Sequence, residues 1–176
     1  TRHPRVLYCT DTYPPQVNGV SVVTALSVAG LRERGWECAV VAPRYPAVLP
    51  HGPISHEVDP ALTTIASVAC PPYPDIRLAA PAYARVAEAV RRFQPDLVHC
   101  ATEFMIGRLG QIAARRAGIR RLSSYHTDFS RYAEAYGVPF LRPAVSRYIA
   151  RFHRRSDRVF TPSAPARDDL AAIGVK

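Results

Sequence analysis

The chain carries the sequence RVLYCTDTYPPQVNGV at residues 5–20. Its first part, Val6–Cys9, is a short apolar run that predicts a buried strand. A loop rich in proline and other turn residues follows it. A helix is then predicted to begin near Val20. Its apolar or small residues predict a buried stripe of Val20, Val23, Ser27, Gly30 and Leu31.

The alternation of strand and helix continues to the end of the chain. Short apolar or β-branched runs predict the strands, and stripes at helical spacing predict the helices. Further strands are predicted at residues 37–42, 63–69, 97–100, 122–126 and 158–161. Further helices are predicted at about 81–93, 106–117, 142–155 and 163–173, and residues 43–62 are predicted to form a loop.

This alternation predicts an α/β fold. Strands joined by helices form a parallel sheet through right-handed crossovers, with helices on both faces. We therefore predict a single doubly wound, Rossmann-like domain whose six or seven parallel strands have the order 3-2-1-4-5-6. No hairpin signal is seen. The 176 residues suit one domain with a substantial core.

The composition narrows the class of protein. No apolar run approaches the ~18–20 residues of a membrane span, and Asp11 interrupts the first apolar run, which argues against a signal peptide. A cytoplasmic location is therefore expected. The four cysteines form no C-x-x-C pair and show no zinc-finger spacing, so buried reduced thiols are expected and no metal site.

The formal net charge is +9, and the only lysine is Lys176. Such a charge favours phosphate, nucleic acid or anionic lipid as partners, or it reflects an arginine-rich surface without a dedicated partner. Nucleic acid is disfavoured because no helix-turn-helix, RRM or KH signature appears. The basic helix Arg142–Arg155 is either an ordinary surface helix or a segment attracted to anionic lipid.

Two common nucleotide-binding motifs are absent. Neither the dinucleotide fingerprint G-x-G-x-x-G nor the P-loop motif follows the first strand. Ordinary nicotinamide dehydrogenases and P-loop NTPases are thereby set aside.

Candidate site residues lie in loops at the carboxyl ends of strands, where doubly wound sheets bind ligands. Asn18-Gly19 either lets backbone N–H groups approach a phosphate or forms a tight turn that needs a positive φ. His126 either contacts a ligand or caps its strand. Glu103 either binds a hydroxyl or caps the next helix. His99, inside a strand, is expected to be a core residue.

The chain resembles the family 4 glycosyltransferases, and within them the bacterial mannosyl-, glucosyl- and sulfoquinovosyl-transferases that act on lipid-linked acceptors. The resemblance begins with residues 5–20 and spans nearly the whole chain in the family's order. Further similar segments are VVAP at residues 40–43, PDLVH at 95–99, SYHTDF at 124–129 and RVFTPS at 158–163.

The resemblance implies one domain of a GT-B architecture, in which two Rossmann-like domains face each other across a cleft. It implies that residues 1–176 are the N-terminal, acceptor-side domain and that the C-terminal nucleotide-sugar domain is absent. The implied reaction is retaining hexosyl transfer from a nucleotide sugar to a hydroxyl acceptor, with a lipid-linked acceptor as a candidate. No metal and no cofactor are implied, and the isolated domain is expected to be inactive.

The resemblance also implies roles for individual residues. Gly19 is similar to the loop glycine that approaches the donor phosphates, beside Asn18. His126 is similar to the catalytic histidine near the transferred sugar. The candidate acceptor-binding residues are Asp11, Gln16, Glu103, Thr127 and Asp128. A peripheral location on the inner face of the membrane fits the basic helix. The competing hypothesis is a stand-alone, non-catalytic module that binds a sugar or polyol phosphate.

Overall fold

The computed structural model describes residues 2–46, 48–49, 52–53, 61–71, 73–126, 140 and 142–175. The strands are β1 (Arg5–Cys9), β2 (Glu37–Pro43), β3 (Val48–Leu49), β4 (Gly52–Pro53), β5 (Leu62–Ile65), β6 (Ser67–Cys70), β7 (Tyr73–Ala79), β8 (Leu97–Cys100), β9 (Arg120–Ser124) and β10 (Arg158–Phe160). The helices are α1 (Gly19–Glu33), α2 (Tyr83–Phe93), α3 (Met105–Arg116), α4 (Arg142–His153) and α5 (Ala164–Ala172).

Six strands form one parallel sheet in the order β5-β2-β1-β8-β9-β10. This is the predicted order 3-2-1-4-5-6, so the predicted fold class is confirmed. The strand order reverses between β1 and β8, which are neighbours in the sheet. Loops that leave their carboxyl ends therefore diverge, and a crevice opens between them.

The side chains on the two faces of β1 pack into two separate hydrophobic cores. Leu7 and Cys9 pack with residues of α2 and α3, whereas Val6 and Tyr8 pack with Val28 of α1 on the other face. Val6, Leu7, Tyr8 and Cys9 are all buried. Burying an aliphatic side chain of this size contributes about 1.5–3 kcal/mol, so both faces of the central strand stabilise the fold.

The buried stripe of α1 differs from the predicted one. The buried residues are Ser21, Thr24 and Val28, whereas the predicted Val23 is 45% exposed. Asn18 begins the helix, and its side-chain oxygen accepts a hydrogen bond from the Ser21 N–H. This start orients small side chains toward the sheet.

The predicted third strand is two strands. β5 belongs to the parallel sheet, but β6 turns away after Ala66 and pairs antiparallel with β7. A second small antiparallel pair, β3 with β4, occurs where a loop was predicted. The expectation of no hairpins was therefore wrong. β7 contains Pro74, which a two-stranded ribbon tolerates because one edge of each strand needs no hydrogen-bond donor.

The four cysteines are free thiols. Cys9, Cys38 and Cys100 are buried, as expected, but Cys70 is only partly buried. Cys9 and Cys100 are partners in the register of β1 and β8. Burial raises the pKa of Cys9 to about 12, so its thiol stays protonated at neutral pH.

Helix α3 approaches the sheet closely through Gly110. A β-carbon added at Gly110 would lie 2.7 Å from both Cβ and Sγ of Cys9. Neither atom is the end of a long flexible side chain. The absence of a side chain at this position therefore sets the distance between α3 and β1.

We expect Gly110→Ala to destabilise the chain by about 1–3 kcal/mol, because the new methyl group overpacks the contact with Cys9. Gly30→Ala is the matched control, since its β-carbon would meet only the flexible end of Arg34 at 3.3 Å. Alanine in a helix interior is favoured over glycine by up to about 1 kcal/mol, so the control should be neutral or stabilising. Urea denaturation measures both changes, and equal stability of the two variants would contradict the packing argument.

Candidate functional site

Loops after β1, β8 and β9 meet at the carboxyl edge of the sheet. The predicted site residues that the structure describes lie in these loops or at the start of α1. Thr127 and Asp128 lie outside the described residues. Among the described residues, no group of three or more His, Cys, Asp or Glu side chains could hold a metal ion.

The start of α1 exposes backbone N–H groups. Gly19 is its first residue and is exposed. Within the described part of the chain, no hydrogen bond reaches the N–H of Gly19 or Val20. Such groups at a helix N-terminus attract anions, because they carry the positive end of the helix dipole.

Neither the backbone conformation at Gly19 nor the packing around it requires a glycine. It is absent from the residues with positive φ, so the tight-turn interpretation is wrong. A β-carbon added there would meet no heavy atom within 4 Å among the described residues. The surface in front of the helix is therefore open, and a ligand can approach the backbone.

Asn18 and Gln16 are held in place by the β1–α1 loop. Asn18 Nδ2 donates to Thr12 Oγ1 at 2.7 Å, while its Oδ1 caps α1. Gln16 Oε1 accepts from Tyr45 Oη at 2.8 Å and from Thr12 Oγ1 at 3.1 Å. Ser21 Oγ donates to the Gln16 carbonyl. These contacts preorganise the loop at the open helix end.

Asp11 connects the end of β1 to the start of α3. Its carboxylate accepts hydrogen bonds from Thr102 Oγ1 at 2.6 Å and from the N–H groups of Ile106 and Gly107 at 2.9 and 3.3 Å. Burial raises the pKa of Asp11, and these hydrogen bonds oppose that rise. Asp11 thus caps a helix that begins 94 residues later in the chain (Met105). Its acceptor-binding role stays a prediction.

The loop after β8 crosses α3 at Gly107. A β-carbon at Gly107 would lie 1.8 Å from the Thr102 carbonyl oxygen. Only glycine lets the loop pass this close to the helix. The same loop carries Glu103, so the contact also places that side chain.

Glu103 is buried and belongs to a polar network with α4. Its Oε1 lies 3.2 Å from His153 Nε2, and His153 Nδ1 lies 2.9 Å from Ser123 Oγ. Burial raises the pKa of Glu103. Tyr148 Oη donates to the Glu103 carbonyl oxygen. At 3% exposure, Glu103 does not lie on an open surface, although an acceptor-binding role is still a prediction.

Sequence reasoning missed His153, Ser123 and Tyr148 as polar partners. Nothing in the local sequence marks these three residues as partners in one network. The network joins residues 30 to 50 positions apart. Its effect is to attach α4 to β9 and to the loop after β8.

His126 lies two residues after the end of β9 and is half-buried. Burial lowers its pKa, which favours a neutral imidazole at pH 7. No hydrogen bond to its side chain is found among the described residues. A neutral imidazole with unused ring nitrogens can donate or accept a hydrogen bond to a ligand.

His99 lies beneath this edge of the sheet. It stacks on Tyr8 with 4.7 Å between ring centroids, and its Nε2 lies 2.7 Å from Ser124 Oγ. Burial, followed by the charge of His126, lowers the pKa of His99 to about 4. His99 is therefore neutral and hydrogen-bonded, but it is only partly buried, whereas a core residue was expected.

The family model described as Glycosyltransferase Family 4 matches residues 17–176. A GDP-mannose-dependent alpha-mannosyltransferase of Mycobacterium tuberculosis (strain CDC 1551 / Oshkosh) is 32% identical over 171 residues, which are 97% of this chain and 45% of that protein. An alpha-monoglucosyldiacylglycerol synthase of Streptococcus pneumoniae (strain ATCC BAA-255 / R6) is 30% identical over 175 residues, covering 98% of this chain and 38% of that protein. The chain thus spans less than half the length of these curated relatives.

A solved structure has the same fold. The UDP-GlcNAc 2-epimerase from Methanocaldococcus jannaschii matches with a TM-score of 0.58 at 11% identity, over 98% of this chain and 43% of that one. At this identity the likeness concerns the fold alone. It agrees with the predicted single Rossmann-like domain of a GT-B architecture.

Proposed function

Because the chain belongs to glycosyltransferase family 4, we propose that it forms the N-terminal, acceptor-side half of a retaining hexosyltransferase. The donor is a nucleotide sugar. The acceptor is a hydroxyl group on a lipid-linked molecule. The names of the relatives support both parts, since one is called GDP-mannose-dependent and another a glucosyldiacylglycerol synthase. Residues 1–176 then need a second domain, which completes the nucleotide site.

The observation that carries this proposal is the open N-terminus of α1 at Gly19. Departure of a nucleoside diphosphate develops negative charge on its phosphates. Preorganised N–H groups stabilise such charge without a metal ion, because they already point at its position. Gly19 leaves room for the phosphates, and Asn18 holds the helix start in place.

His126 is the proposed catalytic residue for sugar transfer. His126 follows β9 at the carboxyl edge of the sheet, and this position supports a role beside the loops that would receive the acceptor. A neutral imidazole can hydrogen-bond the donor sugar as positive charge builds at the anomeric carbon. Asp11, Gln16, Glu103, Thr127 and Asp128 are the proposed acceptor-side residues, and positioning by such groups lowers the entropic barrier.

The test compares the complete protein with residues 1–176 alone. Both are incubated with GDP-mannose and diacylglycerol-based acceptors, and product is measured by mass spectrometry. We expect the complete protein to turn over at ~1 s⁻¹ or more and the isolated domain to give no product. The anomeric configuration of the product, determined by NMR, tests retention.

Two results would contradict the proposal. Turnover near ~1 s⁻¹ by residues 1–176 alone would show that the chain is not half of an enzyme. No transfer by the complete protein, together with tight binding of a sugar phosphate, would favour the stand-alone binding module instead.

We also propose that α4 contacts an anionic membrane surface. Arg142, Arg147 and Arg151 are exposed on this helix. Arg147 Nε donates to the Pro143 carbonyl oxygen within the same helix, and Arg154 donates to the carbonyl oxygens of Gly174 and Ile173 at the end of α5. Within the described residues, no helix is long and apolar enough to span a membrane. Contact would therefore be peripheral in this part of the chain.

We expect Arg147→Gln/Arg151→Gln to weaken binding to anionic vesicles by about 30-fold. Each basic residue near such a surface contributes ~1 kcal/mol, and 1.4 kcal/mol is a factor of ten. Co-sedimentation at low and high salt measures the effect, with Arg34→Gln/Arg85→Gln as a control of equal charge. Equal binding of the unmodified protein to neutral and anionic vesicles would count against a membrane role.

A further inference from the structure

A strongly basic cavity lies away from the carboxyl-edge site. It has a volume of about 380 Å³. Five arginines from three parts of the chain line it, together with Gln111, and we call it the arginine pocket: Arg108, Arg115, Arg116, Arg121 and Arg155. Arg121 lies near the amino end of β9, whereas His126 follows its carboxyl end. At Arg121 the pocket therefore lies toward the end of β9 that is opposite His126, while Arg108 lies in the first turn of α3.

The positive charge of the pocket is poorly compensated. Among the described residues, the only ion pair to a pocket arginine joins Arg121 to Asp157 at 3.5 Å. Arg116 lies over the ring of Tyr83, and Arg108 donates to Gln111 at 3.4 Å. Within the same residues, the Arg121 Nε is buried without a hydrogen-bond partner. Among the described residues, the five guanidinium groups are thus compensated by ion pairing with a single carboxylate, that of Asp157.

The arginines crowd one another. Burial, followed by the charges of Arg108, Arg151 and Arg115, lowers the pKa of Arg155. Like charges at short range repel, and the repulsion is stronger where water is partly excluded. A bound anion would relieve this repulsion.

The helix dipole explains only part of the cluster. Arg115 and Arg116 lie in the last turn of α3, where cations are favourable. Arg108 ends the first turn of the same helix, where a cation is unfavourable. Arg121 belongs to β9, and Arg155 lies in the turn after α4. Their convergence on one cavity therefore needs another reason.

The floor of the pocket is rigid. Gln111 is 2% exposed, and its Nε2 donates to the Phe152 carbonyl oxygen at 2.8 Å and to Ser156 Oγ at 3.0 Å. These two bonds fix the amide, so that Oε1 accepts from Arg108. The pocket is thereby built on a buried polar side chain that spans α3 and the end of α4.

We propose that the arginine pocket binds a phosphoryl group. Guanidinium groups bind phosphate oxygens through paired hydrogen bonds, and several arginines around one cavity suit a multiply charged anion. The cavity is the size of a small-molecule site, which excludes a nucleic-acid duplex. Its wall offers little apolar surface besides Ile112, so it would hold a headgroup and no acyl chain. The phosphoryl group belongs either to a lipid headgroup or to a soluble phosphate.

The test uses the complete protein with two double variants of equal charge. Arg108→Gln/Arg155→Gln alters the pocket, and Arg34→Gln/Arg85→Gln removes two exposed arginines elsewhere. Inorganic phosphate is titrated by calorimetry at low ionic strength, with chloride as the reference anion. We expect the pocket variant to bind phosphate at least about tenfold more weakly than the control variant, because two charge-assisted donors are lost. Any binding of phosphate at the N-terminus of α1 would be unchanged in both variants.

Phosphatidylcholine vesicles containing phosphatidic acid distinguish the source. Loss of vesicle binding by the pocket variant, with the control variant unchanged, identifies a lipid headgroup. Loss of phosphate binding alone, with equal vesicle binding by both variants, identifies a soluble phosphate. The inference is overturned if the two variants behave alike toward both probes, or if chloride replaces phosphate without loss. Circular dichroism confirms folding, and the relief of repulsion should leave the pocket variant at least as stable as the control.

Discussion

We expect His126→Ala, made in the complete protein, to lower kcat of the proposed transfer reaction by about 100–1,000-fold with a smaller change in KM. A hydrogen bond formed only in the transition state affects kcat more than substrate binding. Losing one such interaction costs about 2.7–4 kcal/mol. Burial keeps the imidazole neutral at pH 7, which suits a hydrogen bond to the sugar. Steady-state kinetics with the nucleotide sugar as the varied substrate measures both parameters.

The control for this experiment separates catalysis from stability. His3→Ala removes an exposed histidine near the start of β1 and should leave both kcat and the melting temperature unchanged. If His126 only caps its strand, His126→Ala will lower the melting temperature and leave kcat near normal. A well-folded variant with near-normal turnover would show that His126 is not the catalytic residue.

The second large effect concerns the interior. We expect His153→Ala to reduce the free energy of unfolding by about 3–5 kcal/mol. His153 is fully buried between Ser123 and Glu103. Its removal leaves a cavity and two buried polar groups without their partner, and each of these is costly.

A double-mutant cycle, measured by chemical denaturation, shows how much of this loss in unfolding free energy comes from the contact with Glu103. The cycle pairs His153→Ala with Glu103→Gln, and a coupling energy of about 0.5–3 kcal/mol is expected for groups in contact. The exposed His3→Ala serves again as the reference, with an expected change within about 0.5 kcal/mol. A loss below about 1 kcal/mol for His153→Ala would mean that the site relaxes, and that the network contributes little.

Sequence patterns predicted the sheet order well, because the buried strands β1 and β2 carry clear apolar runs and strand and helix alternate along the chain. They failed where the pairing partner decides the structure. Residues 63–69 look like one β-branched strand, yet Ala66 separates a parallel strand from an antiparallel ribbon. Local periodicity does not show which edge a strand will join. The buried face of α1 was also predicted wrongly, because the apolar residues Val22 and Val23 are exposed there.

The candidate site divides in the same way. The location of Gly19 and His126 at the carboxyl edge of the sheet could be predicted, because position after a strand is visible in the sequence. The contacts of Asp11 could not be found, because the helix it caps begins 94 residues later in the chain (Met105). The pairing of Glu103 with His153 likewise crosses 50 residues. Buried polar contacts of this kind are tertiary in origin, and no local propensity encodes them.

The four thiols differ in burial, so their rates of alkylation show which part of the chain has opened. Alkylation requires an accessible thiolate, and Cys70 alone is not fully buried. A reagent added under native conditions should modify Cys70, on the ribbon, first. Cys9 and Cys100 lie side by side at the centre of the sheet, against α3 at Gly110, and react only when this helix leaves the sheet or the chain unfolds. The order in which mass tags appear therefore distinguishes local fraying of the ribbon from global unfolding.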